Sequence, residues 1–149
     1  MNFMKATMKL AVMVIAYGGI FFSCKKEKSS EPGCAISMEN LSGAYKLTAL
    51  QYKASADAAP ADYLAFMDDC EKDDILSLKI DGIYVSDDAG TACNPATTSQ
   101  GTWQLHGNTL TSDGTLNGTI ASYDCKTLVY YIENSIKPGD KLTFTLVKQ

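Results

Sequence analysis

The chain has 149 residues, 46% of them hydrophobic and 20% charged, with a formal net charge of −4, five cysteines, one histidine and one tryptophan. That is enough apolar side chain for one packed domain and too much for a disordered chain; a single histidine excludes a His-based metal cluster and leaves triad chemistry without support. All 13 basic residues are lysine, so no guanidinium fork is present to grip a phosphate at two points, and nucleic acid is not an expected partner.

Lys5 and Lys9 precede an apolar stretch from Leu10 to Phe22 that ends in Ser23 and Cys24. A basic segment, a short apolar segment and small residues have the form of an export signal, and the stretch is too short to span a bilayer comfortably. Phe21, Phe22 and Ser23 before Cys24 resemble a bacterial lipobox, from which Phe22 departs. The resemblance implies cleavage before Cys24 and acylation of Cys24, with several acyl chains giving stable anchoring. Loss of residues 1–23 removes Lys5 and Lys9, leaving 11 lysines against 17 acids, a charge of −6. Residues 25–33 are polar, carry no apolar period and read as a flexible tether. The expected division is signal peptide 1–23, lipidated Cys24 and tether 24–40, and folded domain 41–149. Charged residues after an acylated cysteine also resemble the export signals of surface lipoproteins, so the expected location is the bacterial outer membrane, at its periplasmic face or the cell surface.

From Leu41 onward, short runs of Thr, Tyr, Ile, Leu and Val recur between Gly, Asp and Asn, the pattern of an antiparallel all-β domain. Strands are expected at about 43–52, 75–80, 83–86, 101–105, 108–112, 115–122, 126–132 and 141–148. Alternation places Leu76, Leu78 and Ile80 on one inward face, likewise Trp103 with Leu105, and Leu142 with Phe144 and Leu146. Asp81-Gly82, Gly107-Asn108 and Asp124 to Lys126 read as tight hairpin turns. The longest connection, 53–74, carries Tyr63, Phe66, Met67 and Cys70 at i, i+3, i+4 and i+7, which predicts one short amphipathic helix packed on the barrel or across its end. Eight sequential antiparallel strands fit an up-and-down β-barrel; a two-sheet sandwich is the alternative.

The ordered segments Gly43-Ala44-Tyr45-Lys46-Leu47, Cys70-Glu71-Lys72-Asp73-Asp74, Asp81-Gly82-Ile83-Tyr84, Cys93, Gly101-Thr102-Trp103-Gln104-Leu105, Gly107-Asn108-Thr109-Leu110 and Leu146-Val147-Lys148 resemble the lipocalin-like lipoproteins of Bacteroides-type bacteria. Tyr45 stands where that family usually has Trp. The resemblance spans about residues 41–149 and implies a small lipocalin-like barrel.

In such a meander, alternate strands run in opposite directions. The start of the first strand and the tight turns therefore share one end, and the longer loops share the other. Cys34 and Cys125 fall at the tight-turn end, Cys70 and Cys93 at the loop end. Strands of about six residues separate the ends by roughly 20 Å, whereas bonded cysteines have Cα atoms within about 7 Å. The expected pairs are Cys34–Cys125 and Cys70–Cys93, the second agreeing with the resembled family's usual cysteines, and both read as structural staples.

Binding is expected at the loop end, because adaptable loops there are held by a rigid scaffold. Its acids (Asp57, Asp62, Asp68, Asp69, Glu71, Asp73, Asp74, Asp87, Asp88, Asp113, Glu133, Asp140) outnumber Lys53, Lys72, Lys137 and Lys141 by eight, a field that favours neutral or cationic partners. The candidate pocket walls are Leu47, Leu78, Tyr84, Trp103, Leu116 and Tyr130, with Tyr63, Phe66 and Met67 as a lid; a barrel filled by its own side chains is the competing structure. Asp69, Glu71 and Asp73 alternate, but Asp74 and Ile80 occupy the places where an EF-hand needs Gly and its terminal Glu. His106 falls in the Gly107 turn, away from the expected mouth, and no Gly-x-Ser-x-Gly elbow is present.

The expected function is non-catalytic, with no cofactor and no metal: a lipid-anchored barrel taking a small apolar, neutral or cationic ligand into its open end. The alternative is an envelope module whose loops contact another protein or a carbohydrate. A hydrolase with loop acids is a third, weaker reading.

Overall fold

The computed structural model describes residues 34–149, the side chain of Leu116 excepted; Cys24 and the expected signal and tether up to residue 33 lie outside the described residues. One helical turn, α1 (Met38–Leu41), leads into β1 (Gly43–Lys53), β2 (Ala61–Asp62), a 3-10 turn at Leu64–Phe66 and α2 (Asp69–Lys72). There follow β3 (Ile75–Leu78), β4 (Ile83–Asp87), β5 (Ser99–His106), β6 (Thr109–Ser112), β7 (Leu116–Tyr123), β8 (Thr127–Glu133) and β9 (Lys141–Lys148).

Each strand from β3 onward pairs antiparallel with the next, and β9 returns to pair with β1 from Tyr45↔Lys148 to Lys53↔Lys141. This closes an eight-stranded barrel and leaves only β2 outside it, as a two-residue strip on the far half of β1. Closure removes the exposed edges that a meander otherwise presents.

The inward face follows from the registers, since directly opposed residues share a face. Leu76↔Ser86, Leu78↔Tyr84, Trp103↔Ser112, Leu105↔Leu110 and Tyr130↔Phe144 all point into the barrel. On β1 the register shifts between Leu47 and Ala49, so Tyr45 and Leu47 face inward before the irregularity and Leu50 and Tyr52 after it, opposite Phe144 and Leu142.

Eight buried apolar residues, Leu41, Tyr45, Leu78, Trp103, Leu110, Ile120, Leu128 and Leu146, form one cluster. It sits toward the end made by α1 and the short turns.

Three expectations change. The 63–70 period does not make a single amphipathic helix: Met67 and Asp68 are extended, with ψ of 150° at each, between the 3-10 turn and α2. The physical reason is that Asp68 and Glu71 form a capping box, which starts a new helix at Asp69 and forces the residue before it out of helical geometry. Ile80 is not inward but 60% exposed, because β3 ends at Leu78 and Lys79 to Gly82 is already the turn. Finally, residues 34–41 are docked onto the barrel, where the sequence shows no strand or helix period.

Candidate functional site

The two ends of the barrel are built differently. At the turn end, Leu41 plugs the opening with 0% of its surface accessible. Its helix is held by side chains rising from the strands: the Tyr45 hydroxyl donates to the Leu41 carbonyl at 2.7 Å, and Lys148 Nζ to the Asn40 carbonyl at 2.8 Å. The Tyr123 hydroxyl also donates to the Asn40 carbonyl. The Trp103 indole donates to the Lys79 carbonyl at 2.9 Å, tying the Lys79 to Gly82 turn to the floor. Burial, helped by the neighbouring Tyr123 hydroxyl, raises the Tyr45 pKa well above the usual phenol range. Cys34–Cys125, with Cα atoms 5.1 Å apart, fastens the incoming chain to the same end, as the strand count predicts.

Above this floor the interior is not filled. One cavity of about 260 Å³ has Tyr45, Leu47, Leu76, Tyr130, Phe144 and Leu146 as its base and walls, with Met67, Glu71, Asp74, Ser86 and Thr97 toward the rim. A second, of about 220 Å³, is bounded by Leu76, Leu78, Tyr84, Leu110, Leu128, Tyr130 and Leu146, with Ser112, Asp113 and Thr115 at its edge. The two share Leu76, Tyr130 and Leu146. Tyr130 stacks on Phe144 with ring centroids 4.7 Å apart and planes 4° from parallel. Burial pushes the Tyr130 pKa up to about 12, so the phenol stays neutral and its proton is retained at physiological pH.

Two glycines make the room for these rings. A Cβ on Gly118 would lie 2.8 Å from Tyr130 Cδ2, and one on Gly101 would lie 2.5 Å from Tyr84 Cε1. Both positions face inward, so an absent side chain on one strand receives an aromatic ring from the next.

The loops around the mouth are braced by carboxylates rather than by apolar packing. Asp140, 2% exposed, accepts from the backbone N–H groups of Ser135, Ile136 and Lys137 at 2.8 to 3.0 Å, and from the Tyr52 hydroxyl at 3.1 Å. Burial alone would raise its pKa, but these donors outweigh it and hold the carboxyl below the ordinary 3.8. Asp113 accepts from Thr102 N at 2.8 Å and from the Tyr84 hydroxyl at 2.7 Å, which lowers its pKa likewise. Asp88 receives Cys93 N and Thr97 N, and Asp73 receives Thr91 N at 2.9 Å. Cys70–Cys93, with Cα atoms 5.3 Å apart, joins α2 to this loop. Much of the acidity read from the sequence is therefore engaged in holding loop backbone. Among the described residues, no group of three or more His, Cys, Asp or Glu is placed to hold a metal ion.

Of the candidate pocket residues, Leu47, Met67, Leu78, Tyr84 and Tyr130 line the two cavities. Tyr63 reaches the mouth by stacking on Tyr52, centroids 4.7 Å apart. Phe66 does not close over it: the ring meets Tyr63 edge-on and stays 79% exposed, because the broken helix turns it outward. Trp103 lines neither cavity; it is 1% exposed in the floor, drawn there by the Lys79 carbonyl. Leu116 is in β7, but its side chain is outside the described residues. Asp74 and Asp113, expected among the acids of the loop end, do border the cavities, whereas Ser86 and Thr97 were missed as rim groups. Phe144 and Leu146 were legible as inward residues from their alternation, though not as cavity walls. His106 is exposed, its Nε2 3.3 Å from Gln104 Oε1, at the turn end.

Residues 41–144 match the family described as a lipocalin-like domain. No curated protein matches the chain significantly, nor does any solved structure.

Proposed function

From the premise that the chain belongs to the lipocalin-like domain family, we propose that it is a membrane-anchored, non-catalytic binding protein that takes a small apolar, neutral or cationic molecule into the open end of its barrel. The observation that carries this is the unfilled space beneath the loops, with apolar walls and a few polar groups at the rim, which is the usual composition of a small-molecule site. Volumes of about 260 and 220 Å³ suit a compact ligand and not a long lipid.

The anchor is inferred from the lipobox-like run ending at Cys24, which would place the protein in the bacterial outer membrane, at the periplasmic face or the cell surface. Cys34 is fixed at the turn end, so a tether arriving there leaves the mouth pointing away from the lipid. A second reading, an envelope interaction module, draws support from Phe66 and Ile136, 79% and 61% exposed, both on the loop side.

Native mass spectrometry of the full protein released from its source membrane tests both parts at once. The expected spectrum shows covalent acyl mass on the Cys24 peptide and a non-covalent small molecule that leaves on activation. An unmodified Cys24 overturns the anchor; a barrel that is always empty, with a protein or glycan partner retained instead, favours the interaction module.

A further inference from the structure

The tyrosines that face the barrel interior or its ends follow one rule, with one exception. Tyr45 donates its hydroxyl to the Leu41 carbonyl, Tyr123 to the Asn40 carbonyl, Tyr52 to Asp140 Oδ2 and Tyr84 to Asp113 Oδ2. Tyr130 lines both cavities, yet its hydroxyl has no hydrogen-bond partner among the described residues. Nor is that oxygen sealed in protein, for the side-chain atoms that are both buried and unpaired among the described residues are Asp73 Oδ1 and Asp74 Oδ1. An unpaired phenol that keeps accessible surface is open to whatever occupies the cavity.

The fold holds the Tyr130 ring without using its hydroxyl. One face stacks on Phe144 at 4.7 Å between centroids, and the edge lies over Gly118, where a Cβ would come within 2.8 Å of Cδ2. Tyr130 is paired with Ile120, and Gly118 stands on the same face nearer the start of β7, at the loop end, so the ring leans from the floor toward the mouth. Phenylalanine would make both contacts equally well. The acids that border the cavities are already engaged: Asp113 by Thr102 N and Tyr84, Asp74 Oδ2 by Thr97 Oγ1 at 3.0 Å, Glu71 Oε2 by Asp68 N at 3.2 Å. Their charge disfavours an anion. Burial keeps the proton on the Tyr130 phenol, which makes it a donor in search of a neutral acceptor. A carbonyl oxygen meets that need and, in a ketone or ester, brings no donor of its own that the apolar walls would leave unpaired.

We propose that the Tyr130 hydroxyl is the recognition group of this chamber, donating a hydrogen bond to the carbonyl oxygen of a small neutral ketone or ester whose apolar part lies against Leu76, Phe144 and Leu146. This rests on the ligand-binding reading given above and narrows its ligand to neutral carbonyl compounds.

The test is an equilibrium titration of the full-length protein in nanodiscs, with empty nanodiscs as the blank, against acetophenone and against ethylbenzene, which has the same ring and chain but no acceptor. Tyr130→Phe should weaken acetophenone about fivefold, the usual effect of one neutral hydrogen bond, and leave both ethylbenzene binding and the unfolding temperature unchanged. In the unaltered protein the infrared carbonyl stretch of bound, isotope-labelled acetophenone should lie below that of the ketone in hydrocarbon, and Tyr130→Phe should return it. An equal response of both probes to Tyr130→Phe, or an unshifted carbonyl in the unaltered protein, overturns carbonyl recognition and leaves the apolar pocket standing. Binding of neither probe overturns both.

Discussion

The turn end and the loop end of this barrel solve the same problem, closing a short cylinder of strands, with opposite chemistry. At the turn end, large apolar groups fill the space, and the carbonyls of Asn40, Leu41 and Lys79 receive donors from side chains below: Tyr45, Tyr123, Lys148 and Trp103. At the loop end the direction is reversed. There carboxylates accept from backbone N–H groups, and the space beneath is left open. A plug built on burial is rigid and insensitive to mild acid. A rim built on ionised carboxylates is held by charge, so it tolerates an opening that a packed floor would not.

The sharpest way to break this contrast is to truncate one residue at each end. Trp103→Ala removes the largest buried side chain and the indole donor to the Lys79 carbonyl, and a cost of about 3–5 kcal/mol is expected. Met67→Ala removes a half-exposed cavity residue and should cost about 1 kcal/mol or less. Urea unfolding followed by far-ultraviolet circular dichroism measures both. Similar losses would mean that the mouth is as much a part of the core as the floor.

The two disulfides allow the next comparison. Cys34–Cys125 closes a sequence separation of 91, and Cys70–Cys93 one of 23. If each acts by restricting the unfolded chain, the longer closure contributes about 1 kcal/mol more, within a typical range of about 2–4 kcal/mol per bridge. The double variants Cys34→Ala/Cys125→Ala and Cys70→Ala/Cys93→Ala, compared in the same unfolding measurement, should differ in that direction. A reversed order would show that the loop-end bridge supports folded structure directly, by holding α2 against the Cys93 loop.

This contrast also explains what was legible beforehand. Strand alternation and turn residues are local signals, so strands such as 141–148 and turns such as Gly107-Asn108 could be placed closely. Strand parity then sorted Cys34 with Cys125 and Cys70 with Cys93. The features that were missed depend on registers or on partners far along the chain. Tyr52 faces inward only because the β1 register shifts after Leu47, which no alternation pattern announces. Trp103 belongs to the floor because its indole finds the Lys79 carbonyl 24 residues away. Gly101 and Gly118 carry no side chain that could show alternation, yet they are the spaces into which Tyr84 and Tyr130 fit. The capping box was present in the sequence as Asp68 and Glu71, and it outweighed the helical period that ran across it.

The smallest expected effect is a local one, and it probes the carboxylate chemistry of the rim directly. Because the Asp140 pKa is lowered in the folded protein, the folded state holds that carboxylate ionised where the unfolded chain would protonate it. Its stabilisation is complete above the ordinary value of 3.8 and is lost as pH falls through the lower folded value. Protonation removes the negative acceptor from the N–H groups of Ser135, Ile136 and Lys137. Amide exchange at those three positions, corrected for the intrinsic pH dependence, should therefore rise in this acid window, and Asp140→Asn should show the raised exchange at neutral pH with no further response to acid. At the turn end itself the Asp124 turn should soften in the same way, since the N–H groups of Thr127 and Lys126 lower that carboxylate's pKa, so the acid-insensitive part of that end is α1 and the plug beneath it. The Asn40 and Leu41 carbonyls of α1 accept from Tyr45, Tyr123 and Lys148, none of them a carboxyl group, so exchange at Leu41 and Ser42 should stay flat. If α1 loosened before the 134–140 loop did, the two ends would share one support, and the division between a packed floor and a charge-held rim would fail.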